Sequence, residues 1–378
     1  MEFSADRRRV LGLMATAGAV AAASAVLPGP AWAKARPVGL EECLALAPRD
    51  MAERSAPVAR AWKHLRATAA TIKNPGLRAR VMAVLDDPAP TLLARLDSQA
   101  RSEVFQELTA KGWLKDREDG PDTFLPPARD ARRAPQPFLS APGSGYQSHH
   151  SYPGGLVTHT AANVRISLSI LEAYAEVSGF APDRDTVLAA QLLHDLHKPW
   201  VFQWDASGES RAEKTLAGTG EHHVLGVAES IARGLPAEVV VAQACAHTHP
   251  GAEKDEAQVV GWLSAAAILA GTDPARAGLL APDGKTLPLP RRVEGFVVHL
   301  GDHDFVFSVP AAKWTIAALR GVAEKQYGLG GADLAGAKFN ALRNYAFSQL
   351  TAEALYREYS LAGAEGLARA VARVVRPA

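Results

Sequence analysis

The chain has 378 residues, of which 48% are apolar and 21% are charged, and its formal net charge is +1. These values are those of an ordinary globular protein with one large core or two moderate ones. A nearly neutral chain lacks the basic excess that binding to a phosphate backbone requires, so no strong nucleic-acid binding is expected.

A basic segment followed by an apolar one opens the chain. Arg7, Arg8 and Arg9 precede an Ala-rich run over residues 10–27, and Ala31-Trp32-Ala33 has the small-x-small form of a cleavage site. Residues 1–33 therefore resemble a twin-arginine export signal. We expect a periplasmic or otherwise exported protein with no stable membrane span after signal cleavage. An uncleaved membrane anchor and an ordinary signal for unfolded chains are the alternatives.

The next two segments differ in their patterns. Residues 34–116 carry apolar positions at three and four spacing, which predicts a helical N-terminal region. Residues 117–154 are rich in Pro, Gly, Arg and Ser, which predicts a long surface loop. This loop leads through His149 and His150 into the following helix.

Residues 155–280 form the predicted core, and histidine is concentrated in and just before it. Nine of the chain's 12 histidines fall between His149 and His249. Histidine is the commonest metal ligand and a usual proton shuttle, so this clustering indicates a site. His159 lies on the inward stripe of a helix over 156–177, and His194-Asp195 lies at the end of the helix before Pro199.

Four further residues extend this pattern. His222 lies on a helix that ends near Gly234, one turn before Gly226. His247 and His249 follow the next helix, and a favourable position at a helix C-terminus would explain one of them but hardly both. Asp273 continues the apolar stripe of a helix over 255–270.

The remaining segment, 281–378, is predicted to contain a β-hairpin and helices. Gly295 to Leu300 and His303 to Val309 flank Gly301-Asp302, which has the length of a two-residue hairpin turn. On this prediction His299, His303 and Asp304 are structural. The expected fold class is mainly α.

The motifs taken together resemble the HD superfamily of metal-dependent phosphohydrolases over about residues 145–278. The entry segment His149–Thr160 is similar to that of the exonuclease-like branch, and His194-Asp195-Leu196-His197-Lys198 is similar to the central His-Asp motif. The segments around His222, His247 to Gly251, and Ala270 to Arg276 resemble the later motifs. The resemblance implies an HD-type helical core with a helical N-terminal layer and a C-terminal hairpin plus helices.

The resemblance also implies the ligands and the chemistry. The expected metal ligands are His159, His194, Asp195, His222, His247, His249 and Asp273, with the choice between His247 and His249 open. Asp195 would bridge two ions, and mixed imidazole and carboxylate donors suit Mn, Fe, Co or Zn, with one or two ions per chain. Lys198, one turn from His194, is placed to offset phosphate charge, and His150 could protonate the leaving alkoxide or bind phosphate. His197 could be a further ligand, a crowding group or a solvent-facing residue.

The expected function is that of a phosphodiesterase or nucleotidase acting on a small phosphate ester. An HD-fold di-iron oxygenase and a non-catalytic metal-binding exported protein are the alternatives. The two cysteines, Cys43 and Cys245, could form a bridge, although Cys245 has the surroundings of a small buried apolar residue.

Overall fold

The computed structural model describes residues 37–115, 117–146 and 148–377. The export signal predicted over residues 1–33 lies outside these ranges. The described chain is mainly α-helical, as predicted, and its strands are limited to a short antiparallel ribbon of β1 (Thr215–Leu216) and β2 (Thr219–Gly220). None of the helices in these ranges is long and apolar enough to cross a membrane.

The N-terminal region is a layer of short helices, and capping residues set their limits. Ser55 accepts a hydrogen bond from the Val58 amide and so caps the start of the helix that begins at Ala56, which separates this helix from the one that ends at Glu53. Asn74 and Asp97 cap the next two helices in the same way. The helices are α1 (Leu40–Ala45), α2 (Pro48–Glu53), α3 (Ala56–Ala69), α4 (Pro75–Asp86) and α5 (Ser98–Ala110).

The central bundle carries the histidines that the sequence singled out. Its helices are α6 (Gly155–Ser178), α7 (Arg184–Leu193), α8 (Lys198–Val201), α9 (Glu221–Ala232), α10 (Ala237–Ala244), α11 (Glu253–Ala270) and α12 (Glu294–Gly301). Helix α6 contacts α3, α7 and α12, while α9 packs against α10 and α11. The helix that carries His194 at its end stops before Pro199, as predicted, and Pro199 lies in the first turn of α8, where its missing N–H costs nothing.

The predicted hairpin over 295–309 is wrong. Residues 294–301 form helix α12, which packs against α6, α7 and α10, and residues 305–309 begin the next helix. Two glycines permit this packing: a Cβ on Gly301 would lie 2.0 Å from Ser167 Oγ, and a Cβ on Gly295 would lie 2.7 Å from Cys245 Sγ. Val297 and Val298 therefore lie on a buried helical face and not on one side of a ribbon.

The C-terminal helices pack mainly on one another and on the N-terminal layer. They are α13 (Phe305–Tyr327), α14 (Ala337–Leu350) and α15 (Ala352–Ala372), the last of which is kinked at Ala362 and Gly363. Helix α13 packs along α15, and α14 contacts α1, α2 and α3. The described chain is joined near its two ends, where Val38 pairs with Val375.

The segment predicted as a surface loop, 117–154, is irregular but partly buried. Phe124 and Phe138 are each 1% exposed and belong to the main hydrophobic core. Trp200 Nε1 donates to the carbonyl of Pro126, and Trp204 Nε1 donates to that of Ser140. These contacts hold the middle of the segment, residues 124–140, against the bundle.

The two cysteines are separate buried thiols. Burial raises the pKa of Cys43 and of Cys245 to about 12, with a smaller contribution from a neighbouring glutamate in each case. Neither is therefore a reactive thiolate at neutral pH.

Candidate metal centre

Two imidazoles and two carboxylates face one another between helices α6, α7 and α12. His159 lies one turn into α6, His194 caps the C-terminus of α7, and Asp302 caps that of α12. The Nε2 atoms of His159 and His194 each lie 3.2 Å from Asp195 Oδ2. The same two atoms lie 3.2 and 3.3 Å from Asp302 Oδ1. All four side chains are buried or nearly so.

The outer nitrogen of each of these imidazoles is held by the protein. His194 Nδ1 lies 2.8 Å from the carbonyl of Gln191, which can only accept, so Nδ1 carries a proton and Nε2 is the nitrogen that faces the cluster. His159 Nδ1 lies 3.1 Å from Asp304 Oδ1. Ligating histidines are commonly oriented by such partners.

A second group adjoins the first and shares Asp195. His222 Nε2 lies 3.4 Å from Asp195 Oδ1, and potential ligand atoms of Asp195, His222 and His247 lie within 4.8 Å of one another. Glu213 contacts His222 Nδ1, and Thr219 Oγ1 lies 3.0 Å from His247 Nδ1. Each histidine of this group thus also has an outer partner. One oxygen of Asp195 faces each group.

His223 supports the second group from behind. Its ring stacks on that of His247 at 4.1 Å with an interplanar angle of 17°, and its Nε2 donates to the carbonyl of Ala244. Burial lowers the pKa of His223 to about 3, so the ring is neutral. Because the His223 ring is neutral, its stacking holds the His247 ring in place and adds no positive charge to the group.

Lys198 and His150 lie beside the centre with partners of their own. Lys198 is 3% exposed, contacts Asp195 Oδ2 and donates to the carbonyl of Gly143. His150 Nε2 lies 2.7 Å from Asp304 Oδ2, and its Nδ1 lies 3.1 Å from the Tyr152 hydroxyl. Asp304 therefore links His150 to His159.

Two residues that the sequence named are not brought to this cluster. Asp273 is exposed after α11, and its Oδ1 accepts a hydrogen bond from the Arg276 amide in a local turn. His249 stacks on Phe296 and accepts a hydrogen bond from the Gly251 amide. Of the two late histidines, it is His247 that faces Asp195.

His197 is neither exposed nor directed at the centre. It is fully buried, its ring packs edge-on against Trp200, and its Nε2 lies 3.4 Å from Glu229 Oε2. Burial lowers the pKa of His197 despite this carboxylate. The residue is therefore a packed core histidine.

Sequence analysis missed two aspartates, Asp302 and Asp304. Both were assigned to the hairpin that does not form, Asp302 as a turn residue. A signal was present: Gly295, His299 and Asp302 are spaced by four and three residues, which places Asp302 on the helical face where Gly295 allows close packing.

The electrostatics of the centre follow from burial and from the opposite charges. Burial lowers the pKa of His194, but Asp195 and Asp302 outweigh it and raise that pKa to about 9. Burial likewise lowers the pKa of His222, but Glu213 and Asp195 raise it to about 9. Burial would raise the pKa of Asp195, but His194 outweighs it and holds that pKa well below the usual range. A divalent ion would displace the imidazole protons and meet carboxylates that are already ionised.

Unsatisfied polar atoms indicate that the centre fits a metal. Within the described ranges, Asp195 Oδ1 and His222 Nε2 are buried and have no partner in hydrogen-bond geometry, while Asp195 Oδ2 is paired with Lys198. Buried polar atoms are normally paired, and an ion is one explanation when they are not. The nitrogen and oxygen donors suit the transition metals Mn, Fe, Co and Zn.

Comparison with known proteins gives one relevant similarity. No family model matches the chain, and a search of solved structures found no match. The chain is 35% identical over 101 residues to a dihydroneopterin 2',3'-cyclic phosphate phosphodiesterase from Methanocaldococcus jannaschii. The matched part is 26% of this chain and spans only 39% of that curated relative. The chain is thus a distant homologue of a phosphodiesterase.

Proposed function

We propose that this protein is a metal-dependent phosphohydrolase of the phosphodiesterase or nucleotidase type that acts on a small phosphate ester. The observation that carries the proposal is the position of Asp195, which turns Oδ2 toward His159 and His194 and Oδ1 toward His222. A carboxylate shared in this way is what a bridged pair of ions requires. The similarity to a phosphodiesterase supports the same class of reaction.

The proposed ligands divide into two sets. His159, His194, Asp195 and Asp302 would hold one ion, and Asp195, His222 and His247 would hold another. When bound, divalent ions would lower the pKa of an attacking water and polarise the phosphoryl oxygens. We retain Mn, Fe, Co and Zn as the candidate metals.

The chain's own side chains would prepare the site for an anionic substrate. Lys198 offsets the charge of Asp195 in the protein and would offset phosphate charge when an ester is present. Asp304 would keep the His159 ring in place from outside the ligand set. The proton-donor role of His150 stays a prediction, and its two ring nitrogens already face Asp304 and Tyr152.

The relative is named as a phosphodiesterase of a cyclic phosphate, and we propose that cyclic phosphodiesters are also substrates of this protein. We further propose that the protein is exported by a twin-arginine route, on the basis of Arg7-Arg8 and the apolar run that follows. Export of a folded chain would suit a protein whose metal ligands come from several helices. Fractionation of cells that express the full chain, beside a variant with both arginines replaced by lysine, tests this proposal.

The test of function begins with elemental analysis of the purified protein, followed by a panel of phosphodiesters and nucleotides with each candidate metal. Asp195→Asn should lower metal-dependent hydrolysis by more than roughly 100-fold, since loss of an outer partner alone costs about 10- to 100-fold. The matched control is Asp122→Asn, an exposed aspartate far from the histidines in sequence.

Three outcomes would contradict the proposal. The first is that wild-type protein with bound metal hydrolyses no ester of the panel. The second is that Asp195→Asn retains wild-type activity. Bound iron with substrate-dependent oxygen uptake, and no ester hydrolysis, would instead identify the oxygenase alternative.

A further inference from the structure

A row of rings leads from the proposed metal centre toward the surface. The His149 ring centroid lies 5.0 Å from that of His159, and the Phe305 ring centroid lies 6.4 Å from that of His149. The His303 ring flanks Phe305 at 5.2 Å. Two ring-to-ring steps therefore connect a proposed ligand to Phe305.

The backbone that carries Phe305 is fixed to the centre. Phe305 directly follows Asp304, whose Oδ1 lies 3.1 Å from His159 Nδ1 and whose Oδ2 lies 2.7 Å from His150 Nε2. The ring is nevertheless 40% exposed. A large apolar ring is thus held in place beside a buried polar site and still presents a free face.

Other exposed apolar residues of α13 have different surroundings. Phe307 is 51% exposed and Trp314 is 50% exposed, and both rings pack on Tyr356. In the part of the chain that the structure describes, neither ring is paired with a histidine of the centre. Phe305 is the aromatic residue of this helix that pairs with His149, whose ring in turn lies against that of the proposed ligand His159, and Phe307 is a natural control for it.

We propose that the exposed face of Phe305, with His149 beside it, binds a planar aromatic ring of the substrate. The preferred substrates would then be phosphate esters of a nucleoside or of another heteroaromatic alcohol, hydrolysed more efficiently than esters without an aromatic ring. This inference rests on the proposed function and names its substrate class.

The chemistry of the metal centre and of Phe305, which lie at the two ends of this row of rings, supports the assignment. The centre and Lys198 suit an anionic group, while Phe305 offers an apolar π face. A molecule that satisfies both has a phosphate at one end and a flat ring at the other. Stacking on an aromatic side chain is tolerant of which base is bound, because every base has a π face.

The experiment compares two cyclic phosphodiesters, one of adenosine and one of glycerol, which share the reacting group and differ in the ring. For Phe305→Leu we expect kcat/KM with the adenosine ester to fall roughly 10-fold, mainly through KM, because base stacking typically contributes to this extent. Hydrolysis of the glycerol ester should stay unchanged. Phe307→Leu should leave both esters unaffected.

The outcomes separate this inference from the proposed function. If wild-type protein hydrolyses both esters and Phe305→Leu lowers both equally or neither, the substrate class is wrong and the phosphohydrolase assignment stands. If neither ester is hydrolysed, the proposed function fails, and calorimetric binding of adenosine monophosphate in the presence of Mn²⁺ decides the inference. Weaker binding to Phe305→Leu than to Phe307→Leu would support it, and equal or undetectable binding would overturn it.

Discussion

The strongest test of the centre is a comparison of Asp302→Asn with Asp273→Asn. The first replacement keeps the size of the side chain and an oxygen that can accept from Asn163, whose Nδ2 lies 2.7 Å from Asp302 Oδ1. It removes the negative charge that lies 3.2 and 3.3 Å from two imidazoles. The second replacement alters only an exposed turn.

The expected magnitude follows from the position of each carboxylate relative to the proposed ion. Asp302 would be a direct ligand, so its loss should exceed the roughly 10- to 100-fold effect of outer partners on metal affinity, which is more than about 2.7 kcal/mol at the upper end. Asp273→Asn should change metal affinity by less than about twofold and stability by less than about 0.5 kcal/mol, as for most surface substitutions.

The assay is competitive metal binding against a chromogenic chelator, with circular dichroism to confirm that both variants fold. Ester hydrolysis provides a second readout. If Asp273→Asn loses the metal while Asp302→Asn keeps it, the ligand set described above is wrong and the family-like order of the sequence is right.

Three further predictions concern packing, acidity and metal removal. Gly301→Ala should destabilise the protein by about 1–3 kcal/mol, measured by urea unfolding, because its Cβ would clash with Ser167 Oγ; unchanged stability would show that α12 packs differently. Burial alone would raise the pKa of Glu229, but His197 and Arg233 outweigh it and lower that pKa from 4.5 to about 2. The ionised carboxylate therefore contributes about 3 kcal/mol to the free energy of unfolding above pH 4.5, and this contribution is lost as the pH falls through 2. Glu229→Gln should therefore be less stable at pH 7 and show a flatter acid unfolding profile, and a profile as steep as that of the wild type would contradict this. Removal of metal with a chelator should lower the melting temperature by an amount that grows with the metal affinity, and an identical melting curve would argue against a bound ion.

Much of the helical framework and several site residues followed from periodicity. His159 lies on the inward stripe of a long amphipathic helix, and His194-Asp195 lies at a helix end that a proline marks, so the positions of these residues in the fold were predictable. His222 followed for the same reason at the start of α9. The direction of each of these side chains is determined by a few neighbouring residues in the sequence.

The prediction was wrong for two carboxylates, Asp302 and Asp273, because their positions depend on tertiary packing. The run of Val and Phe over 295–309 is compatible with a strand, and only the close approach of Gly295 and Gly301 to neighbouring helices makes a helix the better choice. Because this segment was predicted to be a hairpin, Asp302 was not named as a metal ligand. Asp273 was named as the aspartate ligand because it continues an apolar stripe. The choice between His247 and His249 depended on the direction of a turn before Pro250, which spacing does not determine.

The location of Asp302 also has a consequence for biosynthesis. This carboxylate lies far downstream of His159 and His194, and it reaches them only after α12 has docked between α6, α7 and α10. A nascent chain therefore holds an incomplete set of donors until its last third has emerged from the ribosome. Capture of the ion that His159, His194, Asp195 and Asp302 would hold would be a late event, so occupancy of that set would report the fraction of chains in which α12 has docked.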